Sequence, residues 1–139
     1  MDYATRDDLN EAHGQDMVDR LAARHENEDG SEAVARALSY ATGVIDAALS
    51  VRFTLPLPEI PVLLRDIAAD LAIARLASDA TSLTDDLRLR EKTARADLDK
   101  VSTGKMNLGL AAQGEGDRPQ PIVSSTGGKL FTRPQLRGF

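Results

Sequence analysis

The chain has 139 residues, no cysteine, no tryptophan and a formal net charge of −5. This length fits one domain, and the lack of cysteine excludes disulfides, thiolate catalysis and cysteine-based zinc sites. The negative charge argues against a general affinity for DNA phosphates, and no apolar run approaches the roughly 18 residues of a membrane span.

Two short helices are predicted at the N-terminus. Thr5 is a helix-capping residue followed three positions later by Asp8, which favours a helix start at this point. Gly14 ends this helix, and a second one over about residues 15–24 has Met17, Val18 and Leu21 on its apolar side. Residues 25–30 then read as a polar loop. The polar start of the chain is unlike a signal peptide, so we expect synthesis in the cytoplasm.

A long third helix is predicted to start at Asp29, with Glu32 three residues further along. It extends over about 20 residues and ends before Pro56 and Pro58, because each proline disfavours helical geometry in the residue before it. Its apolar face recurs at three- and four-residue spacing and consists of Val34, Leu38, Ala41, Ile45, Ala48 and Leu49.

Two further helices follow the proline-rich corner. Pro61 lies near the first turn of a helix that reaches about Leu76, and a last helix starts at residues 82–85 and stops at Gly104. The predicted fold is all-α: a small antiparallel bundle over residues 1–103, with the N-terminal helices packed as a lid. The inward residues are Leu63, Leu64, Ile67, Leu71 and Ala74 in the fourth helix and Leu87, Ala94, Leu98 and Val101 in the fifth.

Residues 104–139 differ in character and are predicted to form an extended C-terminal arm. They hold seven of the ten glycines and three of the six prolines, with too few apolar residues for a core of their own. Residues 121–123 and 129–132 have the composition of short strands, and residues 133–139 are basic and end on an aromatic. We interpret the segment as an arm that becomes ordered on a partner; plain disorder is the alternative.

The sequence offers no catalytic, cofactor or metal site. If the loop starting at His25 were a calcium-binding loop, Arg36 would occupy the twelfth position, where a bidentate glutamate is needed. His13 and His25 have no zinc-binding spacing, so we expect both to lie singly on the surface. No phosphate-binding loop or nucleophile elbow is present. We therefore expect a protein that is not an enzyme and needs no cofactor.

The last helix carries four basic residues that suggest an alternative, a DNA-associated helical regulatory protein. Five acids interleave with them, and mixed signs on an exposed helix favour a solvated or protein-facing surface. Another alternative is a generic bacterial helical adaptor. The basic residues are Arg88, Arg90, Lys92 and Arg95.

The sequence resembles the Mu-like prophage neck proteins, a family of head–tail connectors, in the order and spacing of several short segments. The sequence departs from the family pattern at three places. Ala47 and Ala48 stand where family members often carry glycine and tyrosine, and Phe53 stands where tyrosine is frequent. The loop around His25 lacks most of the family's acidic Asp-Gly pattern. The matching segments are residues 3–9 (YATRDDL), 35–38 (ARAL), 45–49 (IDAAL), 52–57 (RFTLPL), 60–64 (IPVLL), 66–68 (DIA), 100–101, 104–105, 108, 131–133 (FTR) and 136–139 (LRGF).

The resemblance implies a structural role in the virion neck. Such connectors form a ring, commonly twelve-fold, between the portal protein and the next neck or tail-completion protein, and DNA passes through the lumen without specific binding. The arm would clasp the portal or a neighbouring subunit, adding a strand to an exposed edge with alternate side chains in pockets. The arm residues expected to make this contact are Leu130, Phe131, Arg133, Leu136, Arg137 and Phe139.

A second matched group is expected to shape the corner between the third and fourth helices. Asp46 and Arg52 either pair with one another or are both simply exposed to solvent; the sequence leaves these alternatives open. Leu55 and Leu57 alternate across the extended corner, so one of them is expected to pack inward. The residues of this structural motif are Asp46, Arg52, Phe53, Pro56, Leu57 and Pro61.

Overall fold

A computed structural model of the chain describes residues 1–25 and 29–110. Within these ranges the chain forms helices without strands, which confirms the all-α prediction. No helix in this part of the chain is long and apolar enough to cross a membrane. The helices are α1 (Arg6–His13), α2 (Gln15–Ala23), α3 (Gly30–Leu49), α4 (Val62–Asp79) and α5 (Asp85–Ser102).

Local side-chain chemistry explains where three of the helices begin. The Thr5 hydroxyl accepts from the Asp8 N–H, while the Asp8 carboxylate accepts from the Thr5 N–H at 2.8 Å, a complete capping box. The Asp29 carboxylate accepts from the Ser31 N–H at 3.3 Å, and the Thr84 hydroxyl accepts from the Leu87 N–H at 3.3 Å. Each cap satisfies a backbone donor that the first helical turn leaves unpaired.

Helix α4 is the centre of the bundle and contacts each of the other four helices. Ten of its 18 residues are buried, among them Leu71, Ile73 and Leu76 with no exposed surface. Its many alanines allow neighbouring backbones to approach closely. The helix continues three residues past the predicted end at Leu76, and its predicted core residue Leu63 is only partly buried.

The predicted inward faces of α3 and α5 are confirmed, with two residues of α3 partly buried. Leu38 and Ala48 are the two that keep some exposure. Both helices turn these faces toward α4, while α1 and α2 pack across α3 and α4 as predicted for the lid. Fully or nearly fully buried are Val34, Ala41, Ile45 and Leu49 in α3 and Leu87, Ala94, Leu98 and Val101 in α5.

The segment after α5 returns to the bundle before the described residues end. Gly104 has φ +82, a left-handed geometry that glycine adopts without strain. The Met106 N–H then donates to the Lys100 carbonyl at 3.0 Å, and Met106, Leu108 and Leu110 pack against the core. The candidate strands at residues 121–123 and 129–132 lie outside the described residues.

Candidate functional site

The end of α3, the end of α5 and the N-terminal segment meet at one place, which we call the C-terminal junction. It consists of Tyr3, Asp46, Arg52, Phe53 and Gly104. These residues come from three separate parts of the sequence, around positions 3, 46–53 and 104, and the junction is where the chain leaves α5 toward residues 104–139. Its geometry therefore sets the point from which the predicted arm starts.

Tyr3 and Asp46 form a polar contact at the edge of the core. The Tyr3 hydroxyl donates to Asp46 Oδ1 at 2.5 Å, and the tyrosine is 1% exposed. Burial of the ring, followed by the hydrogen bond to Asp46 and the charge of that carboxylate, raises the pKa of Tyr3 well above its ordinary value. Sequence reasoning did not single out Tyr3 as a site residue, because the partner lies 43 positions away.

Arg52 joins the end of α3 to the end of α5. Its Nη1 donates to the Val101 carbonyl at 3.2 Å, and its guanidinium carbon lies 5.5 Å from the centre of the Phe53 ring. The carbonyls of the last helical turn lack partners within the helix, and a positive charge there also interacts favourably with the helix dipole. The Gly104 backbone lies against the same guanidinium, since a Cβ there would be 3.4 Å from the Arg52 guanidinium carbon.

Asp46 and Arg52 follow neither of the two alternatives that the sequence left open. The carboxylate accepts from Tyr3 and the guanidinium donates to α5, so the two side chains neither pair with one another nor extend freely into solvent. Of the two corner leucines, Leu57 is the buried one, whereas Leu55 is partly buried against the core.

The remaining corner residues take structural positions. Phe53 is buried at 3% exposure, and Pro61 is the residue that precedes the first turn of α4, with φ −60. Pro56 is exposed, and it follows a cis peptide bond with Leu55. The predicted contact residues Leu130, Phe131, Arg133, Leu136, Arg137 and Phe139 lie outside the described residues.

The prediction that both histidines lie singly on the surface is wrong. The His13 side chain is 4% exposed, with Nε2 3.3 Å from Asp70 Oδ1 but not aligned for a hydrogen bond. Arg90 approaches the same carboxylate at 3.9 Å. His25 is partly buried, with Nε2 3.2 Å from the Leu76 carbonyl. Sequence spacing could not reveal these contacts, since each joins two separate helices or a loop and a helix.

Of the four basic residues that suggested DNA association, two are engaged by acids on the same helix. Arg90 lies 3.1 Å from Asp86, and Arg95 lies 3.0 Å from Glu91 while also donating to the Tyr40 hydroxyl at 2.6 Å. Charge already paired in this way is less available for DNA phosphates. Within the described ranges, no group of three or more histidines or acids could hold a metal ion.

Two of the clefts in the described surface are shallow and lie at helix boundaries. One of about 330 Å³ lies between α2 and the turn that precedes α5. Arg24 crosses its edge and donates to the Ser82 hydroxyl. The other, of about 240 Å³, lies between α1 and the start of α4 and is mostly acidic. Neither belongs to the C-terminal junction.

We expect Tyr3→Phe to lower the free energy of unfolding by about 1.5 kcal/mol, the lower end for hydrogen bonds to charged groups, because Asp46 keeps some access to water. Urea denaturation would measure the change. Tyr40→Phe is the matched control: its hydroxyl pairs with Arg95 at an exposed position, and we expect almost no loss. Equal losses in the two variants would contradict the structural role of the Tyr3–Asp46 contact.

The raised pKa of Tyr3 also predicts a dependence of stability on alkaline pH. In the unfolded chain this tyrosine ionises near its ordinary pKa of 10.0, whereas in the folded chain it stays neutral to higher pH. Its contribution is therefore fully present below pH 10 and decreases as the pH rises further. Urea denaturation at several pH values should show a flatter alkaline decline for Tyr3→Phe than for the wild type. An identical decline would contradict the prediction.

We expect Arg52→Met to lower the free energy of unfolding by about 1–2 kcal/mol, because the Val101 carbonyl loses a charged donor while the aliphatic packing is kept. The free energy of unfolding of Arg52→Lys should lie between those of the wild type and Arg52→Met, since lysine keeps the charge but not the planar group over Phe53. Arg88→Met, on the exposed face of α5, is the matched control and should be nearly neutral in the same denaturation assay. A neutral Arg52→Met would show that the junction does not depend on this contact.

Comparison with known proteins identifies the family. A family model described as "Bacteriophage Mu, Gp36" matches residues 3–124, which include all five helices and the C-terminal junction. The chain is also similar to the Mu-like prophage FluMu protein gp36 of Haemophilus influenzae, with 28% identity over 139 residues that cover 99% of this chain and 97% of that protein. These matches confirm the Mu-like phage family that the sequence resemblance indicated, and they decide against an adaptor unrelated to phages. The chain belongs to the Bacteriophage Mu Gp36 family.

Proposed function

We propose that this chain is a head–tail connector subunit of a tailed phage or phage-like particle. Copies of it form a ring in the virion neck that joins the portal protein to the next neck or tail-completion protein. DNA passes through the lumen of this ring during packaging and ejection. The proposal assigns the chain a structural role without catalysis or cofactor.

The observation that carries the proposal is the C-terminal junction, considered with the phage family of the chain. Arg52 and the Lys100 carbonyl hold the exit from α5, and Met106, Leu108 and Leu110 pack on the core. The described chain is therefore still packed on the bundle when it reaches position 110. A connector needs such an arrangement, because the bundle supplies contacts within the ring and the arm extends to a different protein.

The charge of the chain supports a lumen through which DNA slides. Its net charge is −5, and Arg90 and Arg95 are paired with acids of their own helix. A surface of this kind releases few counterions from DNA and binds its phosphates weakly. If the chain were instead a DNA-associated regulator, it should bind DNA in a mobility-shift assay, and this binding should weaken steeply with salt. Absence of binding at low salt would exclude that alternative.

Disruption of the gene in a particle-producing host tests the proposal. Electron microscopy should show heads separated from tails, with packaged DNA lost, and a plasmid copy of the gene should restore joined particles. Affinity purification of the tagged chain from the restored cells should also recover the portal protein. Normal particles with attached tails and retained DNA in the disrupted strain would refute the connector role.

A further inference from the structure

The exposed side of α5 carries a large apolar residue beside two cations that form no ion pair with the described residues. Leu89 is 62% exposed; Lys92, three residues further along, is its neighbour on the helix surface, and Arg88 is in turn a neighbour of Lys92, four residues before it. Unlike Arg90 and Arg95, these two cations pair with no acid in the described part of the chain. We call Arg88, Leu89 and Lys92 the α5 face.

The acidic cleft between α1 and α4 has the opposite character. Val62 contributes an apolar side chain that is 65% exposed, and Glu11 and Asp66 line the cleft beside it. Arg65 is the cleft's one cation and lies 3.9 Å from Asp8. With three acids and one arginine, the charged lining has a net charge of −2. We call this site the α1–α4 cleft.

We propose that the α5 face of one copy docks into the α1–α4 cleft of the next copy. Arg88 and Lys92 would approach Glu11 and Asp66, and Leu89 would cover Val62. The occupant is a second copy because the same chain carries both surfaces and their charges are complementary. The inference rests on the proposed ring, for which it names the lateral contact.

The two surfaces are formed by different helices, so the proposed contact joins unlike patches of successive copies. Helices α1 and α5 both pack on α4, yet they have no Cα atoms within 8 Å of one another. Two different patches on each subunit produce a heterologous contact, which forms a ring when the rotation between subunits closes. Acids also flank this face: Asp86 and Glu91 are paired with Arg90 and Arg95, whereas Asp85 lies at its N-terminal end.

The absence of cysteine from the chain allows a direct cross-linking test. Val62→Cys and Leu89→Cys place single thiols on the two surfaces, both at exposed positions where the fold should tolerate them. The full-length variants would be treated with a short bis-maleimide, first as purified protein and then in particle-producing cells. A mixture of the two single variants should cross-link strongly, each variant alone weakly, and the double variant should form a ladder beyond the dimer.

A Val51→Cys and Leu89→Cys double variant is the matched control, because Val51 is 70% exposed but lies outside the cleft, and it should form no ladder. A double variant of Val62 and Leu89 that stops at the dimer would overturn the head-to-tail arrangement. Absence of the mixed product in both settings would overturn the contact itself. Either result would leave the connector role to be decided by the gene disruption, which does not depend on this interface.

Charge-reversal variants provide a second test of the contact, in which Val62 and Leu89 are left unchanged. Glu11→Lys with Asp66→Lys should reduce self-association in sedimentation experiments at least tenfold. Mixing this variant with one that carries Arg88→Glu and Lys92→Glu should restore a mixed contact, because the reversed charges are again complementary. Restoration supports the assignment, whereas a reduction without restoration overturns it.

Discussion

Replacement of Leu71 by alanine is expected to lower the free energy of unfolding by about 3–4 kcal/mol. Leu71 has no exposed surface and lies in the middle of α4, which contacts all four other helices. The surrounding helices cannot all move inward to fill the space, so the variant loses the transfer energy of the side chain and also contains a cavity. Urea denaturation followed by circular dichroism, with the protein kept monomeric, would measure the loss.

Leu89→Ala is the matched control for this substitution. Leu89 is 62% exposed on α5, so the same change of side chain should alter the free energy of unfolding of the monomer by less than about 0.5 kcal/mol. Comparable losses at the two positions would contradict the central place of α4 in the core.

Removal of residues 130–139 is expected to abolish docking to the portal while the melting temperature stays nearly unchanged. Within residues 1–25 and 29–110 the buried core extends from Tyr3 to Val101, and all of it remains in the truncated chain. The removed segment holds the apolar and basic residues that are proposed to contact the partner. Thermal melting by circular dichroism and co-purification with the portal protein would measure the two effects separately.

A full-length variant controls for loss of chain length in this experiment. Serine in place of Leu130, Phe131, Leu136 and Phe139 keeps the length but removes the apolar contacts, and it should also fail to co-purify with the portal. Unfolding of the truncated chain would show that residues 130–139 belong to the core. Retained docking by the truncated chain would place the contact elsewhere.

The helices and their buried faces were largely predictable because they depend on local chemistry. The cap at Thr5 with Asp8 uses groups three residues apart, and the start of α3 at Asp29 is decided in the same way. The spacing of apolar residues predicts which side of α5 is buried, since residues three and four positions apart share one face of a helix. The end of α4 was predicted three residues early, because no proline or glycine marks the stop at Asp79.

The junction was predictable only in part. The sequence indicated that residues 46–61 shape a corner, and Leu57 and Phe53 are buried there. The partners of Asp46 and Arg52 were not predictable, because they lie 43 and 49 positions away. His13 was misjudged for the same reason: burial against α4 depends on how α1 packs, which its isolated position in the sequence does not reveal.

The sequence by itself determined the helical class, the helix starts and the phage family, because capping, periodicity and the order of motifs are properties of neighbouring residues. Only the tertiary structure decided that Tyr3 binds Asp46, that Arg52 joins α3 to the end of α5, and that His13 approaches Asp70. It also brought Val62 and the acids of α1 together in one cleft. The physical reason is that contacts between helices depend on packing geometry, which is set by the whole core.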